Sequence, residues 1–151
     1  MINGYIPAAR FLPFLSWTDV AALPDKSNTV IVLPTGAIEQ HGPHLPCSVD
    51  SVISSGVAGH ALARLPATIP AYAIPPIVYG KSEEHLHFPG TLTLSGDTLL
   101  HTLLEIAESL YRAGFRKLLM INGHGGQPQI LQIACREMRL RHGDFIAIPH
   151  D

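Results

Sequence analysis

Glu39, His41, Asp50 and His124 are the residues whose types and spacing could hold a divalent cation. Glu39 and His41 sit two apart in the stretch G-A-I-E-Q-H-G-P-H-L-P-C-S-V-D (36–50), so an extended backbone sends both side chains to one side. Asp50 closes that stretch at the mouth of a predicted helix. His124 lies in I-N-G-H-G-G-Q (121–127), where flanking glycines free the backbone to present an imidazole at a strand end. A shell of imidazole and carboxylate suits zinc, manganese or iron better than calcium or magnesium, which prefer oxygen alone. Such a cation lowers the pKa of a bound water to about 7, which is the chemistry of hydrolysis. Each residue also has a plainer reading. Asp50 can be a helix N-cap, His44 a turn residue, and His124 a solvent histidine in a tight turn.

A second polar stretch, Y-G-K-S-E-E-H-L-H-F-P-G-T (79–91), supplies a hydroxyl, carboxylates and imidazoles. Ser82, Glu84 and His85 are the candidates there for catalytic work, positioning substrate or shuttling protons. Glu83 reads as a solvated charge. His60, His101 and His142 fall on predicted helices and read as surface or interface residues.

These stretches need elements to position them. The β-branched run at 29–34 predicts a buried strand, and 117–121 and 145–148 predict two more. An apolar, proline-broken segment at 69–78 predicts a further extended piece. Ser16 and Asp19 predict a short helix over 17–23. Val52, Ile53, Val57, Ala61 and Leu65 recur at helical spacing over 50–65. Ser95 or Asp97 caps a predicted helix reaching about Ala113, with Leu99, Leu103, Ile106 and Leu110 on one face and Gly114 at C′. Pro128 starts another, carrying Ile130, Ile133, Ala134 and Met138 to Arg141, with Gly143 ending it. Residues 1–15 read as an irregular arm. Strand and helix alternate, which predicts an α/β fold with a mostly parallel sheet and helices on its faces. Ligands of open α/β sheets bind at the carboxyl ends of the strands, and the histidine-bearing loops follow the predicted strands.

The bulk numbers agree with one folded domain over residues 1–151. Hydrophobic residues make up 46% and charged residues 15%, enough apolar material for a core and too little charge for disorder. A formal net charge of −2 gives no reason to expect nucleic acid or an anionic membrane as partner. No run of about 18 apolar residues predicts a membrane span. Two cysteines without a C-x-x-C pattern suit a reducing cytoplasm. Nine histidines raise the expectation of a metal, since neutral imidazole is its commonest ligand.

Taken in order, three motifs resemble the creatininase family of creatinine amidohydrolase-like metal enzymes. They are E-Q-H-G-P-H-L-P from Glu39 with Asp50 after it, E-H-x-x-F-P-G-T-x-T-L from Glu84, and N-G-H-G-G from Asn122. The resemblance runs from about Leu33 to Ile148. It implies a three-layer α/β/α fold and a divalent metal at the rim, zinc first, with manganese or iron tolerated, commonly as a binuclear pair. It implies that Glu39, His41 and His124 bind one metal position or the other, with Asp50 bridging. The expected activity is cleavage of the C–N bond of a small amide, cyclic amide or formamide by a metal-activated water. A homo-oligomer, a hexamer by family habit, is the expected assembly.

Two departures from the pattern matter. Gly126 stands where creatininase itself carries a glutamate ligand, and Gln127 stands where asparagine is usual. Family members also continue past the fourth strand, so the chain reads as the N-terminal portion of such an enzyme, truncated at its C-terminus. The alternative is a catalytically incomplete metal-binding remnant, or a subunit that needs a partner chain.

Overall fold

A computed structural model describes residues 2–151. Strands β1 (Val30–Thr35), β2 (Ala71–Ala73), β3 (Lys117–Asn122) and β4 (Ile146–His150) alternate with helices α1 (Trp17–Ala22), α2 (Val49–Arg64), α3 (Gly96–Arg112) and α4 (Pro128–Arg141). The strands form one sheet in the order β2-β1-β3-β4, and every pairing is parallel. This is the expected α/β arrangement. Pleating sends Ile31, Leu33, Leu118 and Met120 into a core with α3 and α4. Val32 and Ile121 turn the other way, onto Ala58 and Leu62 of α2 and onto Ile6 and Phe11 of the N-terminal arm. Helices therefore cover both faces, giving three layers.

Local signals set the helix ends. Ser16 and Asp19 form a reciprocal capping box at α1. Ser95 caps α3 by accepting from the Thr98 N–H. At the other end of α3 the Gly114 N–H donates to Tyr111 and the Phe115 N–H to Leu110, a Schellman closure that requires the left-handed φ of +99° at Gly114. Pro128 occupies the first turn of α4, where its missing N–H costs nothing.

Several elements differ from the sequence reading. The extended segment expected at 69–78 is a strand only at Ala71–Ala73. Prolines 70, 75 and 76 bound it, and none of them can donate to a ladder. In α2 Val52, Ile53 and Val57, expected on the buried face, do not face the sheet, whereas Leu62 does. Ser51, Ser54, Ala58, Gly59 and Leu62 are buried, while Val52, Ile53 and Val57 are 43–52% exposed. The arm explains part of this, because a Cβ at Gly59 would collide with the Tyr5 backbone. In α4 the buried set is Leu131, Ala134, Cys135 and Met138, and Ile133 is exposed. That helix ends in an extended residue, His142, before Gly143 is reached. The arm itself carries two short 3-10 turns, Ala8–Arg10 and Leu12–Phe14, and anchors on buried Ile6 and Phe11. Among the described residues, no helix is long and apolar enough to cross a membrane.

Candidate metal centre

Parallel strands put all their carboxyl ends on one rim. The loops after β1, β2 and β3 meet there, and close glycine contacts let them do so. A Cβ at Gly36 would lie 2.5 Å from the Ser51 Cα, and one at Gly123 would strike the Asp50 carbonyl. The first and third loops are thereby pressed against the first turn of α2, which carries Asp50. Gln127, fully buried, ties the loops together. Its amide donates to the Gly36 carbonyl (3.3 Å) and to Asn122 Oδ1 (3.0 Å), and its Oε1 accepts from the Lys81 N–H (3.2 Å).

Asp50 is not an N-cap, for Ser48 holds that position and no side chain caps the helix. Instead the Asp50 carboxylate is buried and divided between two imidazoles. Its Oδ1 lies 2.9 Å from His41 Nε2, and its Oδ2 lies 2.9 Å from His124 Nδ1. The second contact is too poorly directed for a hydrogen bond, so Oδ2 is left without a partner. Glu39 Oε1 stands 3.3 Å from the same His124 Nδ1. Glu39, His41 and Asp50 can each offer a ligand atom within 4.8 Å of the others.

Both imidazoles have an oxygen at each ring nitrogen. His124 Nε2 is 2.7 Å from the Lys81 carbonyl, and His41 Nδ1 is 3.2 Å from the Glu39 carbonyl. A carbonyl only accepts, so His124 donates its Nε2–H to Lys81, whereas His41 meets an acceptor at each ring nitrogen, its Nε2 bonding Asp50 Oδ1 at 2.9 Å. In its neutral form each ring then turns one bare lone pair on an acceptor oxygen, and for His124 that oxygen belongs to a carboxylate. Acceptors facing acceptors repel unless a proton or a cation lies between them. An imidazole whose other nitrogen is held by a carbonyl is also the usual support of a metal ligand. The residues present therefore fit a divalent metal. Burial by itself lowers the pKa of His124. The Asp50 and Lys81 contacts and the charges of Glu39 and Asp50 outweigh it, and the net shift is upward.

The second loop stands behind and beside this group. Ser82 is fully buried, and its hydroxyl donates to Glu39 Oε2. Its own N–H donates to Thr93 Oγ1 at 2.7 Å. His85 is half-buried, with Nε2 3.9 Å from Glu39 Oε2 and Nδ1 3.3 Å from Gln40 Nε2. Glu84 is exposed, and its Oε1 lies beside Gly126. Glu83 pairs with Lys81 at 3.1 Å. His44 is exposed on its turn, and His87 packs on the Phe88 ring with centroids 4.2 Å apart. His142 bonds Glu108 and stacks on Tyr111, far in sequence from the rim motifs. The roles of Gln40, Thr93 and the Lys81 carbonyl were missed in the sequence. A carbonyl leaves no trace in residue type, whereas Gln127 was flagged by its place after H-G-G.

The creatininase family (creatinine amidohydrolase) profile matches residues 13–150. The chain belongs to the creatininase family. It is 36% identical over 122 residues to a mycofactocin precursor peptide peptidase of Mycolicibacterium smegmatis, covering 80% of this chain and 49% of that protein. It is 34% identical over 138 residues to the creatinine amidohydrolase of Pseudomonas putida, covering 85% and 52%. Among solved structures it superposes on a manganese form of creatininase with a TM-score of 0.79 and 33% identity, over 94% of this chain and 58% of that one. A mutant creatininase of the Zn-Zn type gives 0.79 and 31%, over 93% and 57%. The chain thus spans about half the length of the curated relatives it matches.

Proposed function

We propose that the protein is a metal-dependent amidohydrolase whose rim holds two cation positions sharing Asp50. Glu39, Asp50 Oδ2 and His124 Nδ1 are the donors of the first, and His41 Nε2 and Asp50 Oδ1 begin the second. The single observation that carries this reading is the pair of imidazoles, each tied outward to a carbonyl and each turned inward on a different oxygen of Asp50. Zinc is the first choice, manganese or iron the next, because the shell mixes imidazole and carboxylate. Bound there, the metal supplies Lewis acidity, making water a nucleophile near neutral pH and polarising an amide carbonyl.

The chain's own residues do the rest. Ser82 holds Glu39 in place through its hydroxyl and acts as a positioning residue. His85, half-exposed beside Glu39 and steadied by Gln40, is the group suited to pass a proton to the departing nitrogen. Glu84 adds a carboxylate to the same wall. The substrate class is a small molecule with a hydrolysable C–N bond, as the name creatinine amidohydrolase says of the Pseudomonas putida relative. Two unpaired cysteines suit a reducing compartment such as the cytoplasm. The exposed apolar stripe of Val52, Ile53 and Val57 on α2 suits a homo-oligomer.

The test pairs metal analysis with turnover. Purified protein is expected to retain zinc or manganese through gel filtration and to release product from a panel of cyclic amides and formamides. His124→Ala is expected to lose both metal and activity. Unchanged metal content in that variant would remove His124 from the ligand set.

A further inference from the structure

His85 stands on the wall of the site, and what it can do there depends on which ring nitrogen holds the hydrogen. We propose that Gln40 decides this as a positioning residue. Its amide keeps Nδ1 of His85 bare, so Nε2 carries the hydrogen and offers it to a substrate seated beside Glu39. The tautomer stands on local geometry, and its use on substrate rests on the amidohydrolase reading above.

The orientation of the amide comes first. The two ends of a glutamine amide are alike in shape, so a partner of fixed role must tell them apart. The Gly42 N–H is such a partner, because a backbone N–H only donates. It lies 2.9 Å from Gln40 Oε1. The turn that brings it there uses a left-handed φ of +74° at Gly42, which glycine adopts without steric cost. Oε1 is thereby engaged, and Nε2 is the end left facing His85 Nδ1, at 3.3 Å. An amide nitrogen only donates, so Nδ1 accepts and a neutral ring keeps its hydrogen on Nε2.

The far side of the ring agrees. His85 Nε2 stands 3.9 Å from Glu39 Oε2. A hydrogen on Nε2 is attracted to that carboxylate, whereas a bare lone pair would be repelled. The opposite tautomer therefore costs at both ends, with donor against donor at Gln40 and acceptor against acceptor at Glu39. At 3.9 Å the N–H is too far from Glu39 for a hydrogen bond, so it is not used up within the wall. The ring is only half-buried, and its backbone is fixed by bonds to the Ser82 carbonyl (3.2 Å) and from the Phe88 N–H (2.9 Å). An aimed, uncommitted N–H beside a carboxylate suits an acceptor atom on the substrate. The departing nitrogen becomes one when its carbon turns tetrahedral and its lone pair is freed. In that contact a hydrogen bond forms and no covalent bond breaks.

The test is nitrogen-15 NMR of the histidine side chains in the labelled full chain, at a pH where the ring is neutral. A bare ring nitrogen and one bearing hydrogen resonate far apart, and the His85 signals are identified by their loss in His85→Asn. Zinc content and turnover of wild type are measured beside it. Wild type is expected to carry the His85 hydrogen on Nε2. Gln40→Glu keeps the shape and replaces the donor with an acceptor, so it is expected to bring hydrogen onto Nδ1, an outcome that a space-filling role for Gln40 does not predict. Its kcat is expected to fall at least about tenfold with KM changed by less than about twofold. Hydrogen on Nδ1 in wild type overturns the assignment without need of a variant. Nδ1 left bare in Gln40→Glu overturns it as well. A moved hydrogen with unchanged kcat overturns the use on substrate. Wild type that shows the Nε2–H form but neither zinc nor turnover defeats the amidohydrolase reading, and with it that use, while the tautomer stands.

Discussion

At the scale of the residue, the site works by forcing lone pairs together. His124 gives its N–H to the Lys81 carbonyl and turns its bare nitrogen on Asp50, while His41 lies between the Glu39 carbonyl and Asp50 Oδ1 with one proton for two acceptors when neutral. The raised pKa of His124 states the same fact in protons, for without a cation a proton is the next best guest between the ring and its carboxylates. The sign follows. A metal must displace that proton, so acid opposes binding. Zinc affinity is expected to fall by about tenfold per pH unit below the His124 pKa for the one proton displaced, as read by competition with a chromophoric chelator. A flat profile from pH 8 to pH 5 would contradict this. Ser82→Ala tests the support of Glu39. Removing the hydroxyl is expected to weaken metal binding by about 10–100-fold and leave the helical circular dichroism intact. The two thiols should also behave differently. Burial pushes Cys135 up to about 11, with Arg139 opposing, whereas Cys47 is half-exposed. A thiol reagent at pH 7.5 is expected to modify Cys47 in the native protein and Cys135 only after denaturation.

At the scale of the element, close backbone approach decides the geometry. Gly123 sits against the Asp50 carbonyl and Gly36 against Ser51, so the loops after β1 and β3 clamp the start of α2. Gly123→Ala is expected to cost about 1–3 kcal/mol in urea unfolding and to lower metal affinity, since the methyl must push α2 and its Asp50 away. Wild-type affinity in that variant would show that the clamp does not position the ligand. Here too lies the boundary of what could be read from sequence. The capping box at Ser16, the Schellman glycine at 114 and Pro128 mark their helix ends through local chemistry, and each was legible. The orientation of α2 was not. Its apolar residues fall on both sides, and the face that docks is the one with small residues, chosen by the arm at Tyr5 and by the loops at Asp50 and Ser51. Those contacts join distant parts of the chain, and no local pattern reports them. Likewise β2 is shorter than its apolar run because prolines silence the donors around it. The meeting of Glu39, His41, Asp50 and His124 at one rim was legible from residue type and motif. The carbonyls that meet the outward imidazole nitrogens were not, because every residue has one.

At the scale of the molecule, a three-layer fold serves to bring three loops to one rim, and its surface is uneven. The α3–α4 face is closed by Leu99, Leu103, Leu131 and Met138. Truncating fully buried Leu103 to alanine is expected to cost about 2–5 kcal/mol without altering metal stoichiometry, which separates fold from site. On the other side Ile53 and Val57 of α2 remain exposed, and so do Ile146 and Ile148 of the edge strand β4. The most direct test of the central claim returns to the residue that joins both imidazoles. Zinc content of Asp50→Ala should be measured by mass spectrometry beside wild type, at equal purity and with matching circular dichroism. On the proposed reading, in which two positions share that carboxylate, wild type should carry about two zinc ions and the variant none. A folded Asp50→Ala protein that keeps its full zinc would contradict the metal centre described above.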